Sequence, residues 1–310
     1  MSLPASGDSI ALVRATPGLT DYLQAVEERL EAGAGKSTGA VGEAALQSLK
    51  AGGKRLRPLL VFLSASDPQA PVAAGVAVEL VHLASLVHDD LLDRATLRRG
   101  RPSTWSAFGE RAAVAGGDFL FARAFAELAA EQGVEALELL AQAALELARG
   151  EALEREQRFD AETSIDDYLE RCSLKTGALF SAACRLGADD AESRLGAYGS
   201  ALGIAFQIVD DVLDCSGETP ETGKTAGTDL RAGVPTLPLL IAAERDPVVR
   251  DALAGGPCEG ALVRIAASGA LDRCLEIARD YARRACGYLD GRARAKELEA
   301  LTRVVVERRR

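Results

Sequence analysis

The chain contains no asparagine, one tryptophan, one methionine and only two histidines, His82 and His88. A His-rich zinc centre therefore has almost nothing to build on. Aromatic residues make up 5% of the chain, and runs of alternating apolar and polar residues are hard to find. Strands favour aromatic and β-branched residues in that alternating pattern, so no large sheet is expected. The six cysteines (Cys172, Cys184, Cys215, Cys258, Cys274 and Cys286) include no CxxC pair. Irregular spacing of this kind fits free, reduced thiols and a cytoplasmic protein. The opening "MSLPASGDSIALVRATPG" has neither the basic start nor the apolar run of a signal peptide. The most apolar stretch, residues 72–87, is interrupted by Glu79, His82 and Ser85 and is too short to span a bilayer. The chain also has no basic excess. Its formal net charge is −10, which argues against a nucleic-acid partner.

What is abundant is Ala, Leu, Glu and Arg, all good helix formers. With 48% hydrophobic residues among 310, a large buried core is available. Helical periodicity runs through 19–32, 41–50, "KRLRPLLVFLSA", 72–93, 117–131, 135–159, 166–186, 190–214, 236–245, 247–254, 259–289 (broken near Gly269) and 294–308. Residues 216–235 are rich in Gly, Thr and Pro and long enough to act as a lid. No linker separates two cores. The expectation is an all-α fold, one large helical domain over residues 1–310, with a helix and loop in 1–40.

The charge pattern is sharpest in "LVHDDLLDRATLRRGRPS", residues 86–103. On a helix Asp89 and Asp93 share one face, one turn apart, with Asp90 beside them. Taken alone, such a cluster reads as a solvated acidic helix end. A second one exists, however: "FQIVDDVLD" repeats the DDxxD spacing with Asp210, Asp211 and Asp214, again at the end of an apolar helix. Helix C-termini already carry partial negative charge, so two such clusters call for a cation. Oxygen-only ligands indicate a hard ion such as Mg²⁺, which usually takes further ligands from water and substrate phosphates. The clusters therefore predict a phosphorylated substrate between two facing helices.

Local basic residues fit that substrate. Lys54, Arg57, Arg98 and Arg99 can hold phosphate oxygens by charge-assisted hydrogen bonds. Arg55, Arg94 and Arg101 read as surface charge. Lys175, Thr176, Gln207 and Lys224 are weaker signals, each more often structural when taken alone. Of the histidines, His82 is the better ligand candidate and His88 reads as a packed residue.

These motifs together resemble the trans-isoprenyl diphosphate synthase (polyprenyl synthetase) family, from about residue 40 onward. "GGKRLRP" (52–58), "ELVHLASLVHDDLLDRATLRRGRPS" (79–103), "GDFLFARAF" (117–125), "KTGALF" (175–180), "FQIVDDVLD" and "GKTAGTDL" occur in the family's order. The resemblance implies a helical bundle of the isoprenoid synthase type with a central apolar cavity. It implies about two or three Mg²⁺ ions. Their ligands would be Asp89, Asp93 and Asp210, with Asp90, Asp211 and Asp214 in support and Asp214 a further candidate ligand. Arg98, Lys175, Thr176, Gln207 and Lys224 would hold the allylic diphosphate. Lys54, Arg57, His82 and Arg99 would hold isopentenyl diphosphate. A homodimer is implied as well. One departure stands out: "GVPTLP" (233–238) has Val234 where family members commonly carry a lysine.

In the family, the residues four and five before the first aspartate gate the tunnel for the growing chain. Here they are Ala84 and Ser85, both small. A helical turn rises about 5.4 Å, comparable to one isoprene unit, so an open helix implies a long product. The expected product exceeds geranylgeranyl and lies in the hexaprenyl to octaprenyl range. Phe121 and Phe125 are equally a tunnel floor or ordinary core residues. The tail "VVVERRR" reads first as a solvated helix end and second as a cover for the diphosphate site. The rival readings are a geranylgeranyl diphosphate synthase, a subunit of a heteromeric synthase, and a terpene cyclase. A cyclase usually carries an NSE-type second motif, which a chain without asparagine cannot form. A di-iron bundle is set aside, since only Glu79-Leu-Val-His82 has the Glu-x-x-His spacing it needs.

Overall fold

The computed structural model describes residues 6–36, 39–66, 70–188, 194–216 and 226–308. They form helices α1 (Ser6–Arg14), α2 (Leu19–Ala34), α3 (Gly39–Lys50), α4 (Leu56–Ser64) and α5 (Val72–Leu92), then a two-stranded hairpin, β1 (Leu97–Arg98) and β2 (Arg101–Pro102). Helices α6 (Thr104–Phe108), α7 (Glu110–Glu131), α8 (Val134–Glu156) and α9 (Ile165–Cys172) follow. A π-helical turn, Ser173–Gly177, leads into α10 (Ala178–Gly187) and α11 (Arg194–Cys215). The chain then runs through α12 (Thr228–Ala232), α13 (Leu237–Ala243), α14 (Pro247–Leu253), α15 (Ala261–Ala267), α16 (Ala270–Cys286) and α17 (Ala295–Glu307).

Helix α5 is the centre of the bundle. It is apolar on nearly every side and packs against α2, α4, α7 and α10. By length and composition alone it would qualify as a membrane span, but 72% of its apolar window is buried inside the protein. That burial makes it the core helix. Helix α11 packs against α10 on one side and α16 on the other. A second apolar cluster forms there, built on Ile208, Val212, Leu237, Leu253 and Ala278. Helix α16 shows the opposite pattern to α5: Ala270, Cys274, Ala278 and Ala285 form one buried stripe, and the other face is charged.

The sequence reading located the long helices but placed some edges wrongly. Helix α7 begins at Glu110 and not at 117. Gly116 and Gly117 weaken helix propensity there, yet packing needs their small size. A Cβ on Gly117 would lie 2.2 Å from His88 Nε2. Helices α1 and α6 and the hairpin fell outside the reading. The hairpin turns at Arg99 (φ 51°) and Gly100 (φ 72°). Two left-handed residues make the turn that suits a two-residue hairpin loop. It pairs Leu97 with Pro102 and Arg98 with Arg101.

Candidate active site

The ends of α5 and α11 face one cavity of about 410 Å³. Asp89, Asp90 and Asp93 line it from the first helix, Gln207 and Asp211 from the second. Lys175 enters from the π turn, Arg98 from the hairpin, and Asp229 from α12. Of the second cluster Asp211 faces the first cluster across this space, whereas Asp210 and Asp214 are not among the residues that line it.

Five of the six aspartates have a close partner. Asp90 is buried and accepts two hydrogen bonds from Arg98, Nε to Oδ2 at 2.6 Å and Nη2 to Oδ1 at 2.7 Å. Asp93 accepts from Arg158 Nη2 at 2.5 Å. Asp211 is buried and accepts from the Tyr168 hydroxyl at 2.6 Å and from Gln207 Nε2 at 2.8 Å. Gln207 in turn accepts from the Thr176 hydroxyl at 2.8 Å, which ties Thr176 to the second cluster. Asp214 accepts from the backbone N–H groups of Thr228 and Asp229, at 3.3 and 3.2 Å, and so anchors the start of α12. Asp210 pairs with Arg308 Nη2 at 2.6 Å.

Asp89 and Asp211 are both shifted by their surroundings. Burial pushes the Asp89 carboxyl up to about 7; Glu151 and Glu154 add to the rise, while Lys175 and Arg98 oppose it. Burial likewise pushes Asp211 up to about 7, against the hydrogen bonds from Tyr168 and Gln207. Negative charge here is costly, as it would be at a site that takes up a cation. Among the described residues no group of three or more His, Cys, Asp and Glu side chains could hold a metal ion by itself. Oxygen donors in that arrangement fit Mg²⁺, which relies on water and phosphate for its remaining ligands.

Lys175 is held by two carboxylates that the sequence reading did not single out. Its ammonium lies 2.7 Å from Glu151 Oε2 and 2.7 Å from Glu154 Oε1. Glu154, Asp89 and Glu151 together raise its pKa above the ordinary lysine value, although burial pulls the other way. The π turn brings Lys175 to the cavity and sets the buried Thr176 against Gln207; such insertions are often found at functional positions. A visible signal existed in "GEALERE", where Glu151 and Glu154 stand three apart on one helix face with Arg155 and Arg158 beyond.

The basic cluster lies around the N-terminus of α4. Lys54 is exposed. Arg57 stacks over the Phe180 ring at 5.1 Å, and burial lowers its pKa to about 10. His82 is held well below its ordinary pKa, first by burial and then by Arg57, Arg99, Arg98 and Arg55. Arg55, read from sequence as surface charge, is instead buried. It pairs with Glu27 and lies 3.0 Å from Glu79 Oε1. Because nothing in the local sequence marks Glu27 as its partner, only the packing of α2 reveals this. Phe180 and Phe206 are neighbours, with ring centroids 5.5 Å apart, and Arg308 lies over Phe206 at 3.8 Å. The tail thus departs from the solvated end expected first: Arg308 covers the second aspartate helix because Asp210 and the Phe206 ring both attract it.

Ala84 is fully buried, and the Ser85 hydroxyl donates to the His82 carbonyl at 2.8 Å. Phe121 lies 5.9 Å from the His88 ring. Phe125 borders an outward groove with Leu137 and Ala141. Val234 is buried and borders the main cavity. Residues 217–225 of the lid, Lys224 among them, and Arg309 and Arg310 lie outside the described residues.

Residues 40–256 match the family model for polyprenyl synthetase. The chain is 40% identical over 274 residues to heptaprenyl diphosphate synthase component 2 of Geobacillus stearothermophilus, covering 85% of this chain and 86% of that one. It is 35% identical to nonaprenyl diphosphate synthase of Mycobacterium tuberculosis, covering 90% and 88%. In structure it resembles the Caulobacter crescentus polyprenyl synthase complexed with calcium and isoprenyl diphosphate, with TM-score 0.87, 34% identity and full coverage of both chains. The chain belongs to the polyprenyl synthetase family, a family of prenyltransferases with the all-α isoprenyl synthase fold.

Proposed function

We propose that the protein is an all-trans polyprenyl diphosphate synthase. It joins isopentenyl diphosphate head-to-tail to an allylic diphosphate and repeats the step to a hexaprenyl to octaprenyl product. The observation that carries this reading is the shared cavity, where Asp89, Asp93, Asp211, Lys175 and Arg98 converge. In the reaction the allylic C–O bond breaks and diphosphate departs. The double bond of isopentenyl diphosphate attacks the allylic carbon, and a proton is then lost, with the released diphosphate as the base. Asp89, Asp93, Asp210 and Asp214 would hold Mg²⁺, which when bound would supply positive charge to the departing diphosphate. Lys175 and Arg98, with Thr176, Gln207 and Lys224, orient the allylic diphosphate. Lys54, Arg57, Arg99 and His82 hold the second substrate. The surrounding apolar helices exclude water from the carbocation.

The names of the relatives support a medium to long product, since they include heptaprenyl and nonaprenyl synthases. Small residues at Ala84 and Ser85 fit that range. We read residues 1–310 as one synthase unit and as a homodimer in the cytoplasm. The dimer is supported by an apolar face on α7 and α8 that includes Phe125, Ala129, Leu137 and Ala141. All six cysteines are free, in keeping with a reducing compartment.

Asp89→Asn and Asp210→Asn test the reading. Each should abolish incorporation of labelled isopentenyl diphosphate while the protein keeps its helical circular dichroism. Retained incorporation in both would overturn it. If the unaltered protein is inert alone but active with a partner chain, it is a subunit, as one relative's name suggests for that relative.

A further inference from the structure

A buried carboxylate lies among the guanidinium groups of the basic cluster, and the reaction gives it no role. Glu79 is 3% exposed and sits on α5 three residues before His82. Its Oε1 accepts from Arg55 Nη1 at 3.0 Å, while its Oε2 is buried with no hydrogen-bond partner. Arg57 Nε is likewise buried and unpartnered. The position of an added Cβ on Gly53 shows how tightly these groups gather. That point would lie 2.8 Å from Arg55 Nη1, 3.2 Å from Arg99 Nη1 and 3.7 Å from Glu79 Oε1. Arg55 and Arg99 approach one another from left-handed backbone positions, φ 47° and 51°, which non-glycine residues adopt only at a cost. Like charges so close need a counter-charge, and a partly satisfied buried network is high in energy.

We propose that Glu79 is a positioning residue: it holds Arg55, Arg57 and Arg99 in one converging array and thereby sets the affinity for isopentenyl diphosphate. This rests on the assignment of that cluster to isopentenyl diphosphate. Arg55 is occupied by Glu79 and by Glu27, whose Oε2 it reaches with Nη2 at 3.1 Å. It therefore acts as a strut that fixes the carboxylate, leaving Arg57, Arg99 and Lys54 to meet the diphosphate. Burial lowers the pKa of Arg57 and of Arg99, and Glu79 counters the fall in both. An amide in place of the carboxylate would turn a donor toward guanidinium donors, and the array would splay.

The test is steady-state kinetics on the full chain with each substrate varied in turn. Glu79→Gln should raise KM for isopentenyl diphosphate about tenfold and leave KM for the allylic diphosphate within about twofold. Glu27→Gln, at a half-exposed position, should raise the same KM by about threefold. Gly53→Ala, which fills the convergence point, should raise it as well. These two variants decide the matter if Glu79→Gln does not fold. A purely structural role would lower the thermal midpoint and the active fraction without separating the two KM values, and that result would overturn the proposal. Arg57→Lys and Arg99→Lys distinguish the two levels. If they raise KM for isopentenyl diphosphate and the glutamate variants do not, only the positioning role fails. If they also leave it unchanged, the cluster is not the isopentenyl diphosphate site.

Discussion

Arg308 lies 3.8 Å over the ring of Phe206 and 2.6 Å from Asp210. A residue near the C-terminus therefore supplies the counter-charge for the second aspartate cluster. On the proposed assignment of Asp210 as a Mg²⁺ ligand, Arg308 would have to yield it when the cation arrives, so the two would compete. Arg308→Ala should lower the Mg²⁺ concentration for half-maximal thermal stabilisation by about threefold or more. Differential scanning fluorimetry over a Mg²⁺ series measures this without turnover. An unchanged midpoint concentration would show that the contact is incidental.

Gly150 is the contact point between α8 and the π turn. A Cβ there would lie 2.6 Å from the Lys175 backbone nitrogen and 2.9 Å from its Cα. Backbone atoms cannot move aside as a side-chain tip can. Gly150→Ala should push Lys175 out of register and lower kcat/KM by about a hundredfold. Overpacking should also cost about 1–3 kcal/mol of stability, read from urea unfolding. Normal turnover would mean that Lys175 tolerates displacement.

His82 is expected to remain neutral in the free protein well below pH 6.5. Burial and the flanking Arg57, Arg99, Arg98 and Arg55 all oppose its protonation, and Glu79, three residues earlier, is the nearby carboxylate on its own helix. Below 6.5 the unfolded chain takes up a proton at this position and the folded chain does not. The unfolded form then binds more protons, so this residue's contribution to stability declines as pH falls through 6.5. NMR of the imidazole C–H resonances, assigned with His88→Gln, should show no His82 titration near 6.5. An ordinary midpoint would contradict the enclosed cationic surroundings.

Ala84 is buried on α5, where a larger side chain would project into the core. Ala84→Tyr should shorten the product by several isoprene units while leaving condensation of the first unit intact. Sizing the dephosphorylated products by chromatography checks this. Unchanged product length would mean that the growing chain passes elsewhere.

The long helices were legible because their apolar spacing repeats along the chain, and the two DDxxD clusters were legible because carboxylates at a helix end are unfavourable without a ligand. What sequence could not show were the partners. Asp90 with Arg98 lies within one motif and was within reach. Tyr168 with Asp211, Arg158 with Asp93 and Arg308 with Asp210 join segments far apart in the chain, and only packing brings them together. Arg55 shows the same limit from the other side, since a charge that looks solvated in sequence is buried once α2 and α5 close on it. The hairpin was too short for any periodicity to register, and Arg99 in its turn has an unusual backbone for its residue type.

The central claim is chain elongation, and the most direct measurement is the product ladder. Purified protein, Mg²⁺, labelled isopentenyl diphosphate and farnesyl diphosphate are incubated together, and the dephosphorylated products are sized. A ladder that extends past geranylgeranyl and ends between hexaprenyl and octaprenyl is the predicted result. Consumption of the allylic primer with no incorporation of isopentenyl diphosphate would contradict the account.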